Sequence, residues 1–139
     1  MLNTVIDANV WISALISPLG KPRKLFDQLS QARFLVCYPE QLLHQLRKAP
    51  LKRRLAARLT HDQVERLIDQ LERYGTRVNL AEVPSVSRDY TDDAYLACAV
   101  AAQCDFIVSG DDDLLCMREY HGIAIITPAK FLSILESTK

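Results

Sequence analysis

The sequence predicts an α/β fold with a parallel sheet of about five strands, covered by helices on both faces. Three observations lead there. Short apolar runs alternate along the chain with segments of helical periodicity. Those runs are almost continuously apolar, as strands buried on both faces are. Turn residues separate each run from the next, without internal repeats, low-complexity tracts or a linker long enough to split the chain. The 139 residues, 49% of them apolar, suit one domain over residues 1–139 with a sizeable core.

Residues 2–6 read as the first strand. It ends at Asp7, after which the chain turns apolar again at Val10, Trp11 and Ile12. This aspartate either caps a following helix or brings a carboxylate to the sheet edge where open α/β folds bind ligands. Pro18, Gly20 and Pro22 mark a loop, and residues 22–31 carry Leu25, Phe26 and Leu29 at helical spacing. Phe34 to Cys37, ending at Tyr38-Pro39, form the second strand. Pro39 fits a first helical position, and Leu42, Leu43 and Leu46 share one face of the helix that follows.

Residues 47–58 are basic, and Leu51, Leu55 and Leu59 repeat every four residues, which predicts a short amphipathic helix. Thr60-His61-Asp62-Gln63 is a capping box. The helix it opens buries Val64, Leu67, Ile68 and Leu71, and Gly75 stops it. Arg77 to Leu80 read as an edge strand, and residues 82–89 as a loop in which Asp89 could be a cap. Tyr90-Thr91-Asp92-Asp93 leads into Ala94–Ala102, apolar nearly all round and therefore a buried helix. Asp105 to Ser109 form the fourth strand, broken by Gly110, and Asp111-Asp112-Asp113 follow at once. Gly122 to Ile126 form the fifth, and Thr127-Pro128 opens a final helix with Phe131, Leu132 and Leu135 inward.

Seventeen basic residues balance seventeen acidic ones, so no net field drives the chain onto nucleic acid or membrane. The sequence shows no apolar run long enough for a span and no signal-peptide pattern, which makes the cytoplasm the expected compartment, with no membrane partner. Cys37, Cys98, Cys104 and Cys116 form no C-x-x-C pair, and His44, His61 and His121 are scattered, which argues against zinc.

The acids carry the functional signal. Asp7 ends strand one, Asp111–Asp113 follow strand four, and Asp92-Asp93 open the buried helix. A helix that runs back across a parallel sheet begins at the edge where strands end, so all three groups share one rim. Each acid alone has a structural reading, as a cap or a favourable charge at a helix N-terminus. Together they would repel one another unless a cation neutralised them. Oxygen ligands without His or Cys point to Mg²⁺ or Mn²⁺, which coordinates few carboxylates and leaves room for phosphate oxygens. The expected chemistry is attack of a metal-activated water at phosphorus.

At these residues the chain resembles the PIN-domain nucleases, and among them the small bacterial and archaeal toxin components of toxin–antitoxin systems. Ile6-Asp7-Ala8-Asn9-Val10 resembles the family's opening motif, and Arg88 to Leu96 its central acidic motif. Ile107 to Leu115 resembles its "TGDxDLL" motif, and Gly122 to Leu132 its closing segment. The resemblance implies a three-layer α/β/α sandwich and an endoribonuclease dependent on Mg²⁺ or Mn²⁺, leaving 5′-phosphate and 3′-hydroxyl ends. It implies Asp7, Asp93 and Asp111 as metal ligands, with Asp113 a fourth catalytic acid that binds metal or orients water. Asn9 and Ser109 would support the site, with Asp92 a neighbour. It also implies an RNA substrate, a small antitoxin partner and a homodimer.

The sequence departs from the family at Gln45, where a glutamate is usual, and at Ala8, where threonine is frequent. Glutamine offers a carbonyl oxygen but no charge. Glu40 lies five residues earlier, roughly 140° around a helix, and should face away. The basic stretch, with Lys48, Lys52, Arg53 and Arg54, is a candidate RNA-contact segment or simply a solvated face. Two other readings stand beside the ribonuclease. One is a PIN scaffold, weakened by Gln45, that binds RNA or a protein partner. The other is a haloacid-dehalogenase-like phosphatase, disfavoured because Asn9 stands where that chemistry needs a second aspartate.

Overall fold

The computed structural model describes residues 1–80, 83 and 90–137, the side chains of Tyr90 and Thr91 excepted. Five strands run parallel: β1 (Asn3–Ile6), β2 (Leu35–Pro39), β3 (Thr76–Val78), β4 (Phe106–Val108) and β6 (Ile123–Ile126). A two-residue strand, β5 (Glu119–Tyr120), lies antiparallel along β6. It was not foreseen, because two residues carry no readable alternation. The spatial order is β3-β2-β1-β4-β6-β5.

The chain therefore steps outward from β1 to β2 to β3, then returns across β1 to β4. Right-handed crossovers place α1 (Ala8–Ile16), α2 (Lys21–Ser30), α3 (Glu40–Lys48) and α4 (His61–Tyr74) on one face, and α5 (Tyr90–Ala101) on the other. α5 packs along β2, β1 and β4, while α2 packs on α1 and on the last helix, α7 (Pro128–Ser137). Thr4 and Val5 point to opposite faces of β1 and both are fully buried. This is the expected three-layer sandwich, with β1 and β4 at its centre.

Local chemistry accounts for the firmest elements. Thr60 Oγ1 accepts from the Gln63 amide at 3.2 Å, and Gln63 Oε1 accepts from the Thr60 amide at 2.9 Å, so the capping box opens α4 as expected. Val64, Leu67, Ile68 and Leu71 are buried, and the Gly75 amide donates to Leu71 O at 2.8 Å where α4 ends. Phe131 of α7 meets Phe34 edge-on at 5.2 Å and Phe106 at 5.9 Å, sealing the sheet on that side.

Elsewhere the boundaries move. The basic stretch 47–58 is not one helix. α3 ends at Lys48, a single 3-10 turn spans Ala49–Leu51, and the chain then winds through turns to Leu59. Pro50 is the reason, since it has no amide to continue the helical ladder. The three leucines do not form a face: Leu51 is 72% exposed and Leu59 fully buried. Pro39 closes β2 and caps α3 instead of starting it. The edge strand lies at Thr76–Val78, earlier than expected, in register with Cys37, Tyr38 and Pro39. The expected loop over 82–89, Asp89 included, lies outside the described residues save position 83.

A methyl group at Gly75 would stand 2.7 Å from Leu71 O and 2.9 Å from Val36 Cγ1, whereas one at Gly110 would meet nothing within 4 Å. Gly75→Ala should lower unfolding stability by about 1–3 kcal/mol in urea titrations, and Gly110→Ala should remain near native. Equal midpoints for the two variants would refute the packing argument.

Candidate functional site

The register of the two central strands builds the site. Ile6 pairs with Val108, so Asp7 and Ser109 leave the sheet side by side. The Asp7 amide continues the ladder to Val108 O at 3.1 Å, and the Ser109 hydroxyl donates to Asp7 Oδ2. Asp7 Oδ1 accepts from the Val10 amide at 3.0 Å and caps α1. Cap and site residue are thus one and the same side chain. Ser109 Oγ in turn accepts the Asp111 amide at 2.9 Å. Asp111 caps a one-turn helix, α6 (Asp112–Leu115), through the Asp113 amide at 2.9 Å.

Two helices complete the enclosure. A cavity of about 50 Å³ is lined by Asp7, Ala8, Asn9, Gln45, Asp92, Tyr95 and Asp111. It opens between β1 and β4, where the direction of strand succession reverses, the place where open α/β sheets bind ligands. α5 supplies Asp92 and Tyr95, three residues apart and so on one helical face. α3 supplies Gln45, whose Oε1 accepts the hydroxyl proton of the buried Tyr95. The same hydroxyl oxygen accepts the Ala8 amide at 3.2 Å. Tyr95 therefore ties α5, α3 and the start of α1 together at the cavity wall.

Of the two central acids, the cavity lining includes Asp92. Asp93, one position and about 100° further round the helix, is buried but lies outside the cavity lining. Asp113 is half-buried and also outside the lining. Asn9 and Gln45 line the cavity, and Ser109 stands behind it on Asp7. Lys48, Lys52, Arg53 and Arg54 are exposed, and none lines the cavity. Glu40 points away, paired with Arg77 at 3.1 Å. Tyr95 escaped sequence reading. Its signal was a hydroxyl on an otherwise apolar helix, three residues after an acid.

Burial is the largest influence on Asp7 and pushes its carboxyl above the ordinary 3.8. The hydrogen bonds from Ser109 and Val10 pull it back, and the charge of Asp111 pushes it up further. Among the described residues, no group of three or more Asp, Glu, His or Cys side chains is arranged to hold an ion by itself. Mg²⁺ does not require one, since it takes one or two carboxylates and completes its shell with water and substrate oxygens. The lining's carboxylates, with no His or Cys among them, fit that demand, and a cation shared by Asp7 and Asp111 would relieve the penalty that Asp111 imposes on Asp7.

Because the folded pKa of Asp7 is raised, its ionised form costs stability at neutral pH, and the cost disappears below the ordinary value of 3.8. Metal-free Asp7→Asn should therefore melt above the native chain at pH 7, with the gap closing as the pH falls toward 3.8. A lower melting temperature for the variant at pH 7 would contradict the desolvation argument.

Known proteins bear on this architecture. A chain described as uncharacterized protein MJ1680 of Methanocaldococcus jannaschii is 24% identical over 144 residues, covering 97% of this chain and 92% of that one. A solved structure described as a domain of a functionally unknown protein from Methanocaldococcus jannaschii DSM 2661 covers 90% of this chain and 89% of its own. It superposes with a TM-score of 0.58 at 14% identity, a likeness of fold alone. The sequence pattern of the PIN domain matches residues 3–113, which run from the first residue of β1 through Asp7, Asp92 and Asp111 to the turn after β4. On that match the chain belongs to the PIN-domain family.

Proposed function

We propose that the chain is a divalent-metal-dependent endoribonuclease. One observation carries the reading: Asp7, Asp92 and Asp111, from three separate elements, line a single cavity at the switch point of a nuclease-type fold. Asp7, Asp92 and Asp111 are the residues that would hold Mg²⁺ or Mn²⁺, with Asn9 beside them. The cation would neutralise phosphate charge and supply a water acidic enough to attack phosphorus at neutral pH. Ser109 fixes the rotamer of Asp7 and the path of the chain into Asp111. Asp113 acts through its amide on Asp111. The family resemblance further supports a toxin role beside a small antitoxin, and a homodimer.

Gln45 gives specific support to a second reading, a PIN scaffold that binds RNA and cleaves it weakly, since no acid stands at that cavity position. The native chain incubated with RNA and Mg²⁺ or Mn²⁺ separates the two. Chelator should abolish cleavage. Asp7→Asn and Asp92→Asn should each lose more than about 100-fold in rate, beyond the 10–100-fold typical of outer-shell partners. Asp93→Asn should lose less than about tenfold. Equal losses at the two central aspartates would undo the assignment of Asp92, and no cleavage with either metal would favour the scaffold.

The exposed Lys52, Arg53 and Arg54, with Lys48 before them, support an RNA-contact segment running from the end of α3. Neutralising Lys52, Arg53 and Arg54 together should flatten the slope of log affinity against log salt by about 2, at roughly 0.7 per single-strand phosphate contact. An unchanged slope would mark the segment as solvated surface.

A further inference from the structure

We infer that Gln45 holds a phosphate of the substrate and not the cation, its side-chain NH₂ being the donor this site offers to a phosphate oxygen, and that Tyr95 sets that orientation. The inference rests on the ribonuclease reading and deepens it.

The argument is one of hydrogen-bond accounting. A phenol has a single proton to give. The Tyr95 hydroxyl gives it to Gln45 Oε1 while its own oxygen accepts the Ala8 amide at 3.2 Å. The carbonyl oxygen of Gln45, the atom a cation would need, thereby has one of its two lone pairs committed to the wall of the site. An amide carries its nitrogen on the opposite branch of the same plane, so with the oxygen turned to Tyr95, Nε2 is turned from it. Among the described residues Nε2 has no protein acceptor, and Gln45 lines the cavity. An NH₂ group carries partial positive charge. It repels a cation and attracts phosphate. Where a glutamate would add a negative charge, this chain adds a neutral donor.

Tyr95 is well placed to hold that choice. It is fully buried on α5, one helical turn from Asp92, and anchored to the backbone of α1. It is a positioning residue. The group that meets substrate is Gln45.

The test compares two quantities in the full chain: Mn²⁺ affinity without RNA, and KM for a labelled single-stranded RNA with Mn²⁺. For Gln45→Ala the expected result is Mn²⁺ affinity within about twofold of native and a KM about tenfold higher, the worth of one hydrogen bond to a charged acceptor. Gln45→Glu keeps an acceptor for Tyr95 but loses the donor, so its KM should also rise. Tyr95→Phe releases the amide to rotate and should raise KM by a smaller factor, again without loss of Mn²⁺ affinity. Severalfold weaker Mn²⁺ binding by Gln45→Ala would make Gln45 an oxygen ligand and overturn the inference. An unchanged KM in Gln45→Ala, with the native chain cleaving normally, would sink the inference alone. A native chain that cleaves no RNA with Mn²⁺ would take the ribonuclease reading down and this assignment with it.

Discussion

The pairing of β1 with β4 is the constraint on which the rest depends. Its register sets Asp7 beside Ser109, and one serine hydroxyl then serves both acidic turns, donating to Asp7 and accepting from the Asp111 amide. Each turn immediately becomes a helix cap. The carboxylates are thus oriented by ladder bonds and caps that the fold needs in any case. A slip of one residue would reverse the faces of the strand and carry Asp7 out of the cavity.

Such a site works against the stability of its own protein. Asp7 is buried and faces the charge of Asp111, and both effects disfavour its ionised form. The offset lies away from the cavity. α4 has a complete capping box and an unbroken apolar stripe, and Phe131 packs against two rings beneath the sheet. The geometry separates the two tasks: electrostatic cost at the strand ends, apolar burial in the layers.

How far the residues alone could lead is best seen in particular cases. Runs such as Val5-Ile6 and Ile107-Val108, or the capping box at Thr60, are local patterns with a local cause, and the structure follows them. The rim shared by the three acid groups was also readable, because it follows from parallel-sheet topology. Which of Asp92 and Asp93 lines the cavity was not, since adjacent residues at a helix start differ only by rotation about an axis that tertiary packing sets. The spacing of Asp92 to Tyr95 held the missing clue. The leucine repeat at 51–59 misled because Pro50 outweighs periodicity. Gln45 could be placed on the cavity wall from its helix face, but the side on which its amide presents oxygen depends on a tyrosine 50 positions away.

The separation of Asp7 from Ser109 has a temporal side. The two are 102 positions apart. At a synthesis rate of about 5–20 residues per second, roughly 5–20 s pass between the making of one and the making of the other. Throughout that interval the emerging chain holds a strand ending in an acid, with no partner strand to orient it and no cavity to face. Contacts this distant in sequence close late in folding as well. A chain that stops short of β4 carries Asp7 and Asp92 but no assembled site, so the completed site is itself a record that synthesis has passed β4.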